Sequence, residues 1–129
     1  MAGRALLDTS LIVELLRGDP AVAEKVGNLD EIFTSVVVIG ELPYGARHSA
    51  NSEANLQLVA DFASSITALP SDRVTADTYA RLKHGLRVKG RPIPDNDVWV
   101  AAAAVQHGLT LLSRDAHFDE IDELKHGST

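Results

Sequence analysis

A chain of 129 residues, 45% hydrophobic and 23% charged, has the length and composition of one globular domain and excludes a disordered or fibrous chain. It holds no cysteine, which excludes disulfides, thiolate metal sites and cysteine nucleophiles. The net charge of −6 is unevenly spread: Thr78 to Pro94 has no acid and gathers five of the twelve Lys and Arg, whereas Asp115 to Lys125 sets five acids against one lysine, which reads as two surfaces with opposite tasks.

In chain order, Ala5 to Asp8 (ALLD) reads as a short buried strand ending in an acid. Thr9-Ser10 are N-cap candidates for a helix over Leu11 to Arg17 that Gly18 closes. Pro20 starts a further short helix, and Ile32 to Ser35 fits a second strand. Val38 to His48 suits a helix, and because proline is tolerated only in a first turn, Pro43 places Glu41 near its N-terminus unless the helix kinks there. Ser49 to Ser52 is a loop, residues 53–65 a helix, Ile66 to Leu69 a third strand, and Asp77 to Arg87 a helix with Tyr79, Leu82 and Leu86 on one face. Pro94 precedes an acid-opened helix running to His107 and stopped by Gly108, whose small residues Ala101 to Ala104 permit close approach to a sheet. Thr110 to Ser113 is a fourth strand, and little chain remains beyond Leu124 for a last edge strand. Alternating strands and helices predict a three-layer α/β/α sandwich with a central parallel sheet of four to five strands, in a single domain over residues 1–129. The longest apolar stretch, Val98 to Val105, is far short of the ~20 residues of a membrane span, and MAGRALLD lacks a signal peptide's apolar region, so a cytoplasmic, membrane-free protein is expected.

Ligands of open parallel sheets sit beyond the carboxyl ends of the strands. Asp8 directly follows the first strand and Asp115 follows the fourth, and Glu41 and Asp97 fall at the opening turns of helices starting at the same edge. Singly, each acid has a plainer explanation: Asp8 as a cap, Glu41 as an answer to the helix dipole, Asp95 or Asp97 as an N-cap, Asp115 as an ordinary turn residue. Jointly, carboxylates brought so close repel one another unless a cation neutralises them, which implies a metal. All-oxygen ligation, with no cysteine and no HExxH among the five histidines, favours Mg²⁺ or Mn²⁺. One or two such ions suit hydrolysis of a phosphodiester backbone. Arg87, Lys89 and Arg91 in the basic segment, with Arg114 beside Asp115, are candidate phosphate contacts to RNA. The six scattered aromatics offer no base-stacking platform, Trp99 reads as a core or dimer contact, and no histidine is assigned a catalytic role. Leu11 to Leu16 and Val36 to Leu42 carry more apolar residues than one buried face requires, enough to line a groove for a partner helix.

Three segments, LLDTSLIVELLRGD, SVVVIGELPYGA and NDVWVAAAAVQHGLTLLSRDAHFDEI, in this order and spacing, make the chain resemble PIN-domain proteins, specifically VapC-like toxins of toxin–antitoxin pairs, over nearly its whole length. The resemblance implies an endoribonuclease using Mg²⁺ or Mn²⁺, a homodimer, inhibition by an antitoxin protein, and products with a 5′-phosphate and a 3′-hydroxyl. Its metal-binding and catalytic acids fall on Asp8, on Glu41 of the ExxxG segment, on Asp97 and on Asp115 of the S/T-R-D segment. Ser10 and Ser113 fall where the family places supporting hydroxyls, and Asn96 beside Asp97 is expected to support the same pocket. Val38 departs from the hydroxyl that relatives often carry there, Pro43 interrupts the Glu41 helix, and Asp95 is an additional acid. Two further readings are a PIN scaffold that binds without cleaving and a receiver-like signalling domain. The latter needs adjacent acids after its first strand, where this chain has Thr9-Ser10. A DxD phosphatase is disfavoured by Ser10, and no GxxxxGK loop is present.

Overall fold

The computed structural model describes residues 3–127. Five parallel strands, β1 (Arg4–Leu7), β2 (Glu31–Ser35), β3 (Thr67–Leu69), β4 (Thr110–Leu112) and β5 (His126–Gly127), form one sheet in the order β3-β2-β1-β4-β5. Ala5, Leu6 and Leu7 of β1 are all buried, as a central parallel strand covered on both faces requires. The helices α1 (Thr9–Leu16), α2 (Pro20–Gly27), α3 (Val36–Arg47), α4 (Ser52–Ala63), α5 (Arg73–Lys89) and α6 (Asp95–His107) complete the three-layer α/β/α sandwich. Among them α6 is the most deeply placed, with Val98 and Val100 to Ala104 buried, since alanines let a helix backbone lie close to the sheet. α5 packs along α6 and α3 along α4.

The strand order reverses direction at β1, whose neighbours are β2 on one side and β4 on the other. Residues just past the carboxyl ends of β1 and β4 therefore border the crevice where such sheets bind ligands. Asp8 and Ser113 stand there, and Asp8 N–H donates to Leu112 C=O at 3.0 Å, extending the β1–β4 ladder. This order also differs from the 2-1-3-4-5 order of receiver-type sheets.

Several boundaries depart from the sequence reading, each for a local reason. Thr9 and Ser10 do not cap α1: they lie inside its first turn, and Asp8 occupies the cap position without bonding the helix amides. α3 starts at Val36 because Ser35 Oγ accepts from Val38 N–H at 3.3 Å, so Pro43 sits inside the helix and Glu41 in its second turn rather than at its start. The helix runs through Pro43 without the amide that would bond the Ile39 carbonyl. α5 begins four residues before the expected Asp77, where Asp72 and Thr75 form a reciprocal capping box. Neither Asp95 nor Asp97 caps α6; Pro94 holds the cap position and both acids lie in the first turn. β5 is present, two residues long.

The charge asymmetry also resolves differently from two opposed surfaces. Arg81 forms a forked pair with Glu123 at 2.9 and 3.1 Å, and Lys89 Nζ reaches the Glu120 carbonyl at 2.6 Å and Asp122 at 3.2 Å. Two cations of the basic helix, Arg81 and Lys89, thus face and pair with the acidic segment. Each exposed pair is worth little alone, but together they fasten the last segment of the described chain onto α5.

Candidate active site

The end of β1 delivers Asp8 into a pocket of hydroxyls. Its carboxylate is 2% exposed. Oδ2 accepts from Ser113 Oγ at 2.8 Å and from Ser10 Oγ at 3.4 Å, and the two serine oxygens are 3.2 Å apart. Ser113 Oγ also accepts from Asp115 N–H at 3.1 Å, and Ser10 Oγ from Arg114 N–H at 3.2 Å, so the hydroxyls tie the end of β1 to the turn after β4. Asp8 Oδ1 is buried and has no hydrogen-bond partner among the described residues. Burial pushes the Asp8 carboxyl up to about 6; the Ser113 hydrogen bond opposes this, and the charges of Asp97 and Glu41 add to it.

Glu41 projects from α3 and accepts a 2.7 Å bond from Thr9 Oγ1 at the start of α1. Asp97, in the first turn of α6, is likewise raised above the ordinary carboxylate range, first by burial and then by the charges of Glu41 and Asp115, against the opposing influence of His117. Asp115 stands at the start of a 3-10 turn, Ala116–Glu120, and its side chain does not cap it. Asp8, Glu41, Asp97 and Asp115 thus gather at one edge of the sheet and act on one another electrostatically.

As they lie, no three His, Cys, Asp or Glu side chains among the described residues close on a common point. The donor set nonetheless fits a hard divalent cation. It is oxygen-rich and mutually repulsive, and it includes a buried carboxylate oxygen left without a partner.

Of the supporting residues expected from the sequence, Ser10 and Ser113 touch Asp8, whereas Asn96 is exposed and makes no hydrogen bond among the described residues. Asp95 turns away to Lys83 at 2.9 Å and does not join the cluster. Arg87 and Arg91 are exposed and make no ion pair among the described residues. Lys89 is held by Glu120 and Asp122, and Arg114 pairs with Asp19 at 3.3 Å. Trp99 stacks on Tyr79 at 4.1 Å and 12°, joining α5 to α6, which accords with a packing role.

Two residues escaped the sequence reading. Thr9 looked like a helix cap and instead holds Glu41. His117, in the turn after Asp115, has Nε2 2.9 Å from Asp97 Oδ2. Its only signal in the sequence is its place two residues after a strand-ending acid. Beside the acids, α1, α3 and α4 bound a groove of about 400 Å³ with Val13, Leu16, Leu42 and Val59 on its walls, and it shares Thr9 and Glu41 with the site. The apolar residues of α1 divide accordingly: Leu11 and Ile12 enter the core, Val13 and Leu16 the groove.

The chain is similar to known proteins in sequence and in fold. The PIN domain family profile matches residues 5–124. The chain is 31% identical over 126 residues to ribonuclease VapC4 of Mycobacterium tuberculosis, covering 95% of this chain and 94% of the relative. It superposes on VapBC-1 from nontypeable Haemophilus influenzae with a TM-score of 0.86 at 27% identity, covering 97% of each chain. A crystal structure of VapBC2 from Rickettsia felis bound to a promoter DNA fragment shares the fold, with a TM-score of 0.89 at 23% identity and 98% of each chain covered.

Proposed function

The chain belongs to the PIN-domain family, and on that premise we propose that it is the ribonuclease toxin of a toxin–antitoxin pair. In this reading one PIN-like domain hydrolyses RNA phosphodiester bonds with Mg²⁺ or Mn²⁺ held by Asp8, Glu41, Asp97 and Asp115. The observation that carries the reading is Asp8, a carboxylate 2% exposed at the switch point of the sheet, with Oδ1 unpartnered. Leaving a buried anion half-satisfied is costly, and a cation at that point repays it.

A divalent cation held by these acids would make a bound water more acidic and would offset charge on the phosphate. The remaining work belongs to side chains. Ser113 and Ser10 fix the Asp8 carboxylate, so that its free oxygen has one orientation. Thr9 holds Glu41 by Oε1, leaving Oε2 to orient the attacking water or to bind the ion. Asp97 and Asp115 approach from α6 and from the turn after β4. Arg87 and Arg91, with Lys89 and Arg114 more firmly engaged elsewhere, are the cations offered to RNA phosphates. The groove beside Glu41 suits an apolar helix of the antitoxin, in the mode by which an amphipathic segment docks. The working form is a homodimer.

New RNA ends bearing a 5′-monophosphate, mapped across the transcriptome after brief expression, test the reading without a guess at substrate. Ends at a few defined sites are expected with the native chain and not with Asp8→Asn. Identical maps from two folded, abundant proteins would overturn it.

A further inference from the structure

A donor outside the four acids meets them from the turn after β4, and its role rests on the metal-dependent reading above. His117 lies in the 3-10 turn Ala116–Glu120. Its Nε2 stands 2.9 Å from Asp97 Oδ2, yet it is sealed from solvent and has no hydrogen-bond partner among the described residues, so the contact is close without being aligned for N–H donation. The ring packs on Phe118, which is fully buried, with centroids 4.8 Å apart and planes at 59°. A ring nitrogen withdrawn from water and unpaired carries a desolvation cost. An imidazole nitrogen and a carboxylate oxygen set against each other can share a proton, as an ion pair, or can both donate lone pairs to one divalent cation.

We propose that His117 Nε2 is a nitrogen ligand joining Asp97 on the bound ion, so that this site prefers a nitrogen-tolerant ion such as Mn²⁺ over Mg²⁺. Magnesium, small and hard, gains little from imidazole, whereas manganese accepts mixed oxygen and nitrogen donors.

The test is Mn²⁺ and Mg²⁺ titration of the full chain by calorimetry, with pulsed electron paramagnetic resonance of the Mn²⁺-loaded protein. Modulation from a directly bound imidazole ¹⁴N is expected in the native protein and is lost in His117→Gln. In that variant Mn²⁺ affinity falls about tenfold while Mg²⁺ affinity holds. The native spectrum decides even if the variant fails to fold, because His117 is the histidine that touches one of the four acids. Mn²⁺ bound with no nitrogen modulation, or equal losses for both ions, would reduce His117 to an ion-pair partner of Asp97 and overturn the proposal. If neither ion binds, the metal reading of the acids falls as well, which is a separate and recognisable outcome.

Discussion

Asp8 concentrates the conflict on which the site is built. Burial lifts its carboxyl from 3.8 to about 6 despite two serine hydroxyls on Oδ2. The folded chain therefore keeps a proton between pH 4 and 6 that the unfolded chain has released, and stability falls as pH rises through that window. A shift of this size corresponds to on the order of 3 kcal/mol lost by neutral pH when no cation is present. Asp8→Asn retains the shape and removes the charge. In chelator, urea unfolding is expected to find the variant more stable than the native chain by about 1–3 kcal/mol at pH 7.5 and equal to it at pH 4. Adding Mg²⁺ at pH 7.5 should narrow the gap by stabilising only the native chain. An equal difference at both pH values would remove the buried charge as its cause.

At the scale of elements, α3 and α5 depart most from their sequence patterns, and in opposite ways. Pro43 reads as a start signal because its ring costs a helix about 3 kcal/mol in the interior, yet α3 continues through it, held by burial of Val38, Leu42 and Ala46. α5 extends beyond its apolar stripe because Asp72 and Thr75 satisfy its first amides, a cap whose acid is held below the ordinary carboxylate range by the Thr75 backbone bond. Of the five cations between Thr78 and Pro94, Arg81 and Lys89 are clamped to the acidic segment, Lys83 pairs with Asp95, and Arg87 and Arg91 make no ion pair among the described residues. In an Asp8→Asn background, Arg87→Ala with Arg91→Ala is expected to weaken RNA binding and to flatten its dependence on log salt by about 1.4, the counterion release of two phosphate contacts on a single strand. Fluorescence anisotropy over a salt series measures the slope, and an unchanged slope would take these residues out of the RNA path.

Across the whole molecule, the site exists because segments far apart in the chain end at one sheet edge. Asp8 and Ser113 are 105 residues apart and bonded at 2.8 Å, and Thr9 and Glu41 are 32 apart at 2.7 Å. The turn carrying Asp115 and His117 is anchored by Phe118, fully buried with rings of His117 and His126 against it. Phe118→Ala is expected to cost about 3–5 kcal/mol in chemical denaturation. At temperatures where the variant is still folded, it should also weaken divalent-cation binding, because Asp115 and His117 lose their footing. Full stability loss with cation affinity intact would show that the acids are positioned without this anchor. Among the described residues no helix is long and apolar enough to cross a membrane.

The alternation of strands and helices and the parallel sheet were legible in local periodicity, and the family in the order and spacing of three segments. The four acids were proposed from strand ends and helix starts, because a parallel sheet leaves only one edge for binding. Tertiary structure alone decided what those acids touch. Thr9 turning to Glu41, His117 closing on Asp97, Asp95 leaving for Lys83 and the basic helix pairing with the acidic segment are contacts across loops, and a contact across a loop leaves no periodic trace in the residues that make it. Pro43 inside α3 and the long α5 belong with them: there burial and capping outweighed the local signals from which helix ends are read.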